Sequence, residues 1–241
     1  GQASKVCAER MTSRLWWLRP ENFRASPAAL ALLNTEERQR QQRFIPPAKQ
    51  HEYLLTRILV RSVLGDMLGC APATLEFVHN EWGCPSLAPR STPRPIHFNI
   101  SHTEGLIVCA VSCEHQVGVD TECLSRAPTL LRLAPNVFAR DELAALRALP
   151  ESEQAQRAVH LWTLKESYIK ARGMGLSIPL DKFSFRFEPG GVRLEVEPEL
   201  ADDGKRWQFQ WQIFGSHCIS TAIALPRVVT IENMAFCPGN F

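Results

Sequence analysis

Three carboxylates and one ammonium stand at spacings that would bring them to one spot in a folded chain. Asp120 and Glu122 close the run Val-Gly-Val-Asp-Thr-Glu, whose small and β-branched residues predict a strand, and side chains two apart on a strand share a face. Glu166 and Lys170 lie four residues apart in a predicted helix, so they share one helix face. Carboxylate oxygens in this number suit Mg²⁺, and an ammonium beside them suits a phosphate. If strand and helix meet, the spacing indicates a site for phosphate chemistry.

Each of these pairs also has an ordinary structural interpretation. A Glu–Lys pair at i, i+4 most often lies on a solvated helix face, and two acids at a strand end are most often simply polar. Taken singly, neither pair indicates a function. Their combination, together with the motifs described below, favours a functional site.

The elements that must position these groups follow a repeated order. The helix that carries Glu166 is predicted from Glu151 to Arg172 and ends at Gly173, the residue type that commonly terminates helices. A second long amphipathic helix follows Pro46-Pro47. Each long helix occurs with antiparallel strands, over residues 46–113 and 151–225. This order predicts an α+β fold of two similar halves, residues 1–116 and 117–241, with the metal site in the second.

The shorter elements are predicted from local patterns. The segment from residue 83 to 95 is rich in Pro and Ser and is predicted as loop. Residues 101–105 are predicted as a connection between two strands. Strands are predicted at 14–18, 75–79, 96–100, 106–112, 116–121, 182–187, 192–196, 207–214 and 218–225.

Composition excludes several classes of protein. The 45% hydrophobic and 22% charged residues are typical of a globular domain, and 241 residues allow one large domain or two small ones. A net charge of +2 argues against a general nucleic-acid binder, which needs a basic face. The sequence has no apolar run of membrane-spanning length and no signal-peptide pattern, so the expected location is the cytoplasm.

The eight cysteines contain no Cys-x-x-Cys pair. Four metal-ligating residue types cluster at Cys109, Cys113, His115 and Cys123, but their spacing matches no familiar zinc pattern. Several cysteines lie within apolar runs, where a thiol behaves as a small hydrophobic group. Reduced thiols are therefore expected, at Cys7, Cys70, Cys84, Cys109, Cys113, Cys123, Cys218 and Cys237.

Four motifs in order resemble those of one known family. Val-Gly-Val-Asp-Thr-Glu is followed by Trp-x-x-Lys-Glu-x-x-x-Lys-x-x-Gly-x-Gly-Leu, and both are preceded by Phe98-Asn99-Ile100-Ser101-His102 and by Gly83-Cys84-Pro85-Ser86-Leu87. The chain is thus similar to the surfactin-type 4′-phosphopantetheinyl transferases over most of its length from about Thr35 to Phe185. The resemblance implies two pseudo-symmetric α+β halves with the substrate between them. It also implies transfer of the phosphopantetheine arm of coenzyme A to a serine of a carrier protein, with release of 3′,5′-ADP.

The resemblance also implies roles for the acidic and basic groups. Asp120, Glu122 and Glu166 would hold Mg²⁺, and Lys170 would contact the phosphates of coenzyme A. Glu166 is the candidate base for the serine hydroxyl, either directly or through a metal-bound water. Lys165 is adjacent in sequence, about 100° away around the helix, and is a secondary candidate for binding coenzyme A.

Further residues of the matching motifs are implied to bind coenzyme A. His102, with Asn99 and Ser101 in the same motif, would contact a phosphate. Arg40 would bind the 3′-phosphate, although Glu37 stands where some relatives carry a lysine. The segment that would cradle the adenine contains His79, Gly83, Cys84 and Pro85, and Cys84 replaces a lysine that is common in relatives.

Two other functions are compatible with the same residues. One is a non-catalytic module of this fold that binds coenzyme A or a carrier protein; the presence of Lys170 and all three carboxylates argues against it. The other is a different Mg²⁺-dependent phosphoryl or nucleotidyl enzyme, which the lack of a P-loop or Rossmann fingerprint disfavours. The expected partners are coenzyme A and, transiently, an apo acyl or peptidyl carrier protein, with no nucleic acid and no membrane. A monomer is expected.

Overall fold

The computed structural model describes residues 13–92, 94–113, 115–225 and 231–237. Within these ranges the α-helices are α1 (Pro27–Leu30), α2 (Thr35–Arg43), α3 (Pro47–Leu68), α4 (Ala127–Val137), α5 (Arg140–Ala148) and α6 (Glu151–Arg172). The strands are β1 (Arg14–Leu18), β2 (Phe77–His79), β3 (Pro85–Leu87), β4 (Ile96–Thr103), β5 (Leu106–Cys113), β6 (Val117–Cys123), β7 (Phe183–Glu188), β8 (Gly191–Val196), β9 (Gln208–Phe214), β10 (His217–Ile223) and β11 (Glu232–Ala235). No helix in these ranges is long and apolar enough to cross a membrane.

The strands form two main sheets and two hairpins. The first sheet has the order β11-β1-β5-β4 and the second the order β6-β10-β9, while β2-β3 and β7-β8 pair separately. Neighbouring strands are antiparallel, apart from the parallel pair β1 and β11. The predicted α+β class with antiparallel sheets is confirmed. The division into two halves between residues 116 and 117 stays a prediction. Strand β11, which follows that division in sequence, lies in the first sheet.

Helix α3, the two sheets and helix α6 are stacked in four layers. The odd-numbered residues of β5 belong to the apolar core beneath α3, and the even-numbered ones belong to a core shared with the second sheet. The second sheet supplies Val117, Val119 and Ile219 to this shared core, while Cys218 and Ala222 on its other face pack in the core that contains α6. Because β5 is buried on both faces, its sequence is a continuous apolar run rather than an alternating one.

Helix α6 lies unusually close to strand β6. A Cβ atom at Gly118 would stand 2.1 Å from the carbonyl oxygen of Ser167 and 2.4 Å from the nitrogen of Ala171. Only a glycine permits this distance between a strand and a helix. As predicted, α6 ends at Gly173, which adopts a left-handed conformation with φ of 66° and donates its N–H to the carbonyl of Lys170.

We predict that Gly118→Ala strongly destabilises the fold, because the added methyl group overlaps the backbone of α6. The expected loss in the free energy of unfolding is about 3 kcal/mol or more, at the upper end of overpacking effects. Urea denaturation measures it. The matched control is Gly191→Ala, since nothing lies within 4 Å of a Cβ there. We expect the control to change stability by less than about 0.5 kcal/mol; equal stabilities of the two variants would contradict the prediction.

Three strand predictions need correction. Strand β4 continues to Thr103, so Ser101 and His102 lie in a strand and not in a connection; the turn is made by Glu104 and by Gly105, whose φ is 84°. Strand β3 lies within the segment predicted as loop and pairs with β2. Strand β11 was not predicted, because its four residues carry little pattern and are held by pairing with β1.

The cysteine prediction is correct for most of the described residues. Six cysteines are free, at positions 70, 84, 109, 123, 218 and 237. Cys113 is disulfide-bonded, so the expectation of a reduced thiol is wrong there. Cys7 lies outside the described residues. Burial raises the pKa of Cys109 to about 12, which keeps this thiol protonated within the core.

Candidate active site

Strands β4 and β6 run side by side, although they are edge strands of different sheets. Polar side chains of β4 replace the missing backbone ladder between them. The N–H of Val119 donates to Oδ1 of Asn99 at 2.9 Å, and the N–H of Thr121 donates to Oγ of Ser101 at 3.0 Å. We call this junction of β4 and β6 the seam. It satisfies edge groups that would otherwise be buried without partners.

Asp120 lies in the seam with its carboxylate directed at α6. The side chain is buried, and its Oδ1 accepts from Oγ of Ser101 and from Nζ of Lys170, each at 3.2 Å. Burial, with a smaller contribution from the negative charge of Glu122, raises the pKa of Asp120 to about 6, although Lys170 and Ser101 act in the opposite direction. The positive charge of Lys170 therefore does not fully compensate the buried carboxylate, so a further cation beside Asp120 would be favourable.

Glu166 is the second acid of this cluster. Burial, together with the negative charge of Asp120, raises its pKa to about 7, against a smaller opposing effect of Lys170. Strand β6 and helix α6 therefore meet as the spacing predicted, with Asp120, Glu166 and Lys170 in electrostatic contact. A carboxyl group with a pKa near neutrality is well placed to exchange a proton.

Glu122 lies on the same face of β6 but is turned toward its own backbone. Its Oε1 accepts from the N–H of Cys123 at 2.9 Å and from Oγ1 of Thr103 at 3.4 Å. In the described parts of the chain, no three His, Cys, Asp or Glu side chains form a ready metal-ligand set. Mg²⁺ is usually held by one or two carboxylates together with water and substrate phosphates. Asp120 and Glu166, two mutually repelling acids, fit that pattern.

Lys170 places its ammonium at the centre of the seam. Nζ donates to the carbonyl of Val119 at 3.1 Å, to Oδ1 of Asp120 at 3.2 Å and to the carbonyl of Ile100 at 3.3 Å. The side chain is 28% exposed. One lysine thus contacts β4, β6 and the buried acid at the same time.

His102 lies on β4 at the rim of the cluster and has a partner that the sequence did not reveal. Its Nδ1 stands 2.8 Å from Oε1 of Glu52 on α3, and Lys49 lies 3.5 Å from the same oxygen. Burial would raise the pKa of Glu52, but the hydrogen bond with His102 and the charges of His102 and Lys49 hold it below its ordinary value. Glu52 occupies Nδ1, so Nε2 is the atom that remains to meet a ligand. The one feature of the sequence that could have pointed to this pair is the acid Glu52 among the buried residues of the largely apolar helix α3.

Arg40 lies on α2, apart from the acidic cluster. It is exposed, whereas Glu37 on the same helix is buried and joins α2 to α3. Glu37 caps its own helix at Asn34 and accepts from Arg57 at 2.5 Å and from Arg61 at 2.9 Å. The acid at this position therefore anchors the helix that presents Arg40, and Arg57 and Arg61 have a structural role as its partners.

The segment from His79 to Pro85 reaches across to the end of α6. Asn80 holds it: Oδ1 accepts from the backbone N–H of Trp82 at 3.0 Å and of Cys84 at 2.9 Å, and Nδ2 donates to the carbonyl of Gly173 at 2.7 Å. Gly83 has a φ of 83°, as this turn requires. Burial raises the pKa of Cys84, so its thiol is neutral. His79 is exposed.

Comparison with known proteins decides the family. Residues 16–114 match the family model of the 4′-phosphopantetheinyl transferase N-terminal region, and residues 116–222 match that of the 4′-phosphopantetheinyl transferase superfamily. The chain belongs to this superfamily. It is 33% identical to the 4′-phosphopantetheinyl transferase Sfp of Bacillus subtilis over 184 residues, which is 76% of this chain and 78% of that protein. It is also 30% identical to the 4′-phosphopantetheinyl transferase HetI of Nostoc over 190 residues, which is 79% of this chain and 77% of that protein.

One candidate residue of this transferase lies away from the cluster. Lys165 has no exposed side-chain surface, and its Nζ donates to Oε1 of Glu142 at 2.6 Å and to the carbonyl of Phe183 at 2.8 Å. Glu142 also accepts the N–H groups of Ala139 and Phe185. The expected role of Lys165 in binding coenzyme A is not supported by this position, because the side chain turns into the core.

We predict that Glu142→Gln destabilises the transferase by about 3–5 kcal/mol, because it leaves the Lys165 ammonium buried without a counter-charge. The double variant Lys165→Met/Glu142→Gln should recover part of this loss, since it removes the charge as well. Chemical denaturation measures both. For the exposed pair Arg193–Glu195, the corresponding Glu195→Gln change should cost less than about 1 kcal/mol. A Glu142→Gln variant as stable as this control would show that the buried pair contributes little.

We also predict that stability falls with rising pH because of the two acids of the cluster. Asp120 and Glu166 have raised pKa values in the folded chain, so the folded state binds their protons more tightly than the unfolded state does. Their favourable contribution is complete below pH about 4 and is lost as the pH rises through 6 and 7.

The double variant Asp120→Asn/Glu166→Gln isolates this effect, since it cannot ionise at either position. Between pH 5 and pH 8 in metal-free buffer, the wild type should lose on the order of 2 kcal/mol more unfolding free energy than the double variant. Parallel curves for the two proteins would contradict the prediction.

Proposed function

We propose that this chain transfers the 4′-phosphopantetheine arm of coenzyme A to a serine hydroxyl of an apo acyl or peptidyl carrier protein and releases 3′,5′-ADP. The observation that carries the proposal is the meeting of Asp120, Glu166 and Lys170 at the seam, in a chain of this superfamily. The acids come from β6 and α6, while the neighbouring His102 comes from β4. The site thus draws on strands of both sheets, which suits two substrates that must meet.

The reaction forms a bond from the serine oxygen to a phosphorus of the pyrophosphate and breaks that phosphorus's bond to the 3′,5′-ADP oxygen. Negative charge gathers on both sides of the transferred group, so neutralising it is the main catalytic task. We propose that Asp120, Glu166 and, after rotation, Glu122 hold Mg²⁺, which supplies this positive charge when bound. The serine proton needs an acceptor, and we propose Glu166 for this role, since its carboxyl group lies in the same cluster.

For coenzyme A we propose three contact regions. His102 would donate from Nε2 to a phosphate while Glu52 holds Nδ1. The exposed Arg40 would meet the 3′-phosphate. The segment with His79, Gly83, Cys84 and Pro85 would meet the adenine, through its backbone at Cys84, whose side chain is uncharged. Asn99 and Ser101 are engaged in the seam, so their contribution would be to hold β4 and β6 in place.

The test is intact-mass spectrometry of an apo carrier protein incubated with this chain, coenzyme A and Mg²⁺. We expect the carrier to gain one phosphopantetheine, and the gain to disappear with EDTA. Asp120→Asn and Glu166→Gln should each slow transfer at least ~100-fold, in line with the loss of a group that stabilises the transition state. The matched control is Glu199→Gln, an exposed acid, which should transfer at the wild-type rate.

Retention of coenzyme A without transfer to any of several carriers would favour the non-catalytic binding module. Undiminished transfer by Asp120→Asn or Glu166→Gln would refute the assignment of the site. The monomeric state and the cytoplasmic location stay predictions.

A further inference from the structure

We infer that a cavity between α5, α6 and β7 is a binding site for a small amphipathic monocarboxylate. The apolar body of this ligand would fill the cavity, and its single negative charge would meet Arg157. None of the residues that line the cavity belongs to the seam or to the regions assigned to coenzyme A. The inference therefore does not rest on the proposed function.

The walls of the cavity are mostly apolar. Its volume is about 340 Å³, at the lower end of the range of about 300–1,000 Å³ that is usual for small-molecule sites. The two helices and the residue after α5 contribute aliphatic side chains, and β7 contributes two aromatic rings: Leu146, Leu149, Leu161, Phe185 and Phe187. The Phe187 ring is held in place, because the His160 ring packs against it in a T-shaped contact at 4.9 Å and the Arg157 guanidinium lies over it at 3.8 Å. A short apolar body suits this preformed space.

Arg157 brings a positive charge without a counter-charge to this apolar space. Its side chain is partly buried, and its guanidinium forms no ion pair and no hydrogen bond with any residue that the structure describes. Burial lowers the pKa of Arg157, and the negative charge of Glu153 offsets this effect only in part. The neighbouring His160 is neutral, since burial and the charge of Arg157 lower its pKa to about 3. A guanidinium in this position gains from an anion that accepts its hydrogen bonds.

The other charges that line the cavity favour a ligand with one negative charge. Glu142 and Glu195 are each paired with basic side chains, and Arg186 is itself one of the partners of Glu195. Asp141 is exposed on the first turn of α5, where the helix N-terminus stabilises its charge. A single negative charge balances Arg157. A second one would be repelled by the acids, and a cation would be repelled by Arg157.

The edge of β7 supplies a second donor. On the edge that faces away from β8, the carbonyl of Phe183 accepts from Lys165 at 2.8 Å. The N–H of Phe185 donates to Glu142 at 2.9 Å on the same edge. Backbone groups two residues apart on a paired strand point to the same edge, so the N–H of Phe187 lies on it as well. In the described ranges no side chain accepts from this N–H. Phe187 thus offers a carboxylate its N–H, while its ring carries the guanidinium of Arg157.

The experiment uses octanoate as the probe and measures its dissociation constant with the full chain by calorimetry. Three compounds of the same carbon number are the comparisons: octanol is neutral, octylamine is a cation, and octanedioate carries a second negative charge. We expect octanoate to bind at one site with a dissociation constant below about 1 mM. It should bind at least tenfold more tightly than each of the three other compounds.

Variants then locate the site. Arg157→Met keeps an unbranched side chain without the charge and should weaken octanoate binding at least tenfold, while octanol binding changes less than threefold. Ala145→Phe places a ring in the cavity from an exposed position on α5 and should abolish octanoate binding. The matched control is Arg147→Met, an exposed arginine of α5 outside the cavity, which should bind octanoate as the wild type does.

The inference would be overturned by an unchanged affinity for octanoate in Arg157→Met, by octanol or octylamine binding as tightly as octanoate, or by no measurable binding of octanoate. If Arg157→Met does not fold, the wild type alone decides. In its NMR spectrum the backbone amide proton of Phe187 should move downfield as octanoate is added, because it gains a charge-assisted hydrogen bond. An amide signal that does not move would also contradict the assignment.

Discussion

The close approach of α6 to β6 at Gly118 is the constraint on which the candidate site depends. With a Cβ position 2.1 Å from the carbonyl of Ser167, the helix cannot slide or rise without losing its packing on the second sheet. A buried ion pair fixes the rotation of the same helix, because Lys165 reaches into the core to Glu142. Glu166, one residue further and about 100° around the helix, is then directed at Asp120. Helix position and helix rotation are thus both set by groups that have no chemical task.

The acids of this protein divide into two kinds according to the donors around them. Asp202 accepts from Tyr168, Arg206 and Trp207, and despite the opposing effect of burial these hydrogen bonds hold its pKa below the ordinary value. Glu37 is similarly surrounded by two arginines. Asp120 and Glu166 are also removed from water, but they repel each other and share the charge of one ammonium, and their pKa values rise. Fully satisfied acids hold the fold, whereas an under-compensated pair is suited to bind a cation.

The seam joins the two strands that carry the groups proposed to meet the two substrates. Edge strands of separate sheets usually end in solvent or pair with each other. Here β4 and β6 are joined by side chains, so β4 can present His102 with its partner Glu52 while β6 presents Asp120. Asn80, in the turn between β2 and β3, adds a further link to Gly173, the residue that follows the helix carrying Lys170. The groups that we assign to coenzyme A and those that we assign to catalysis are therefore held in one frame.

The sequence by itself determined the local geometry of this protein. The period of two placed Asp120 and Glu122 on one face, the period of 3.6 placed Glu166 above Lys170 and turned Lys165 away, and Gly173 marked the end of α6. Those features depend on neighbours within a few residues. Only the tertiary structure decided that Asn99 and Ser101 form the seam, that Glu52 meets His102, that Glu122 turns to its own backbone, and that β11 joins the first sheet. Each of these features depends on contacts between residues that are distant in sequence. The periodicity of the sequence reports only on neighbours within a few residues, so it cannot predict such contacts.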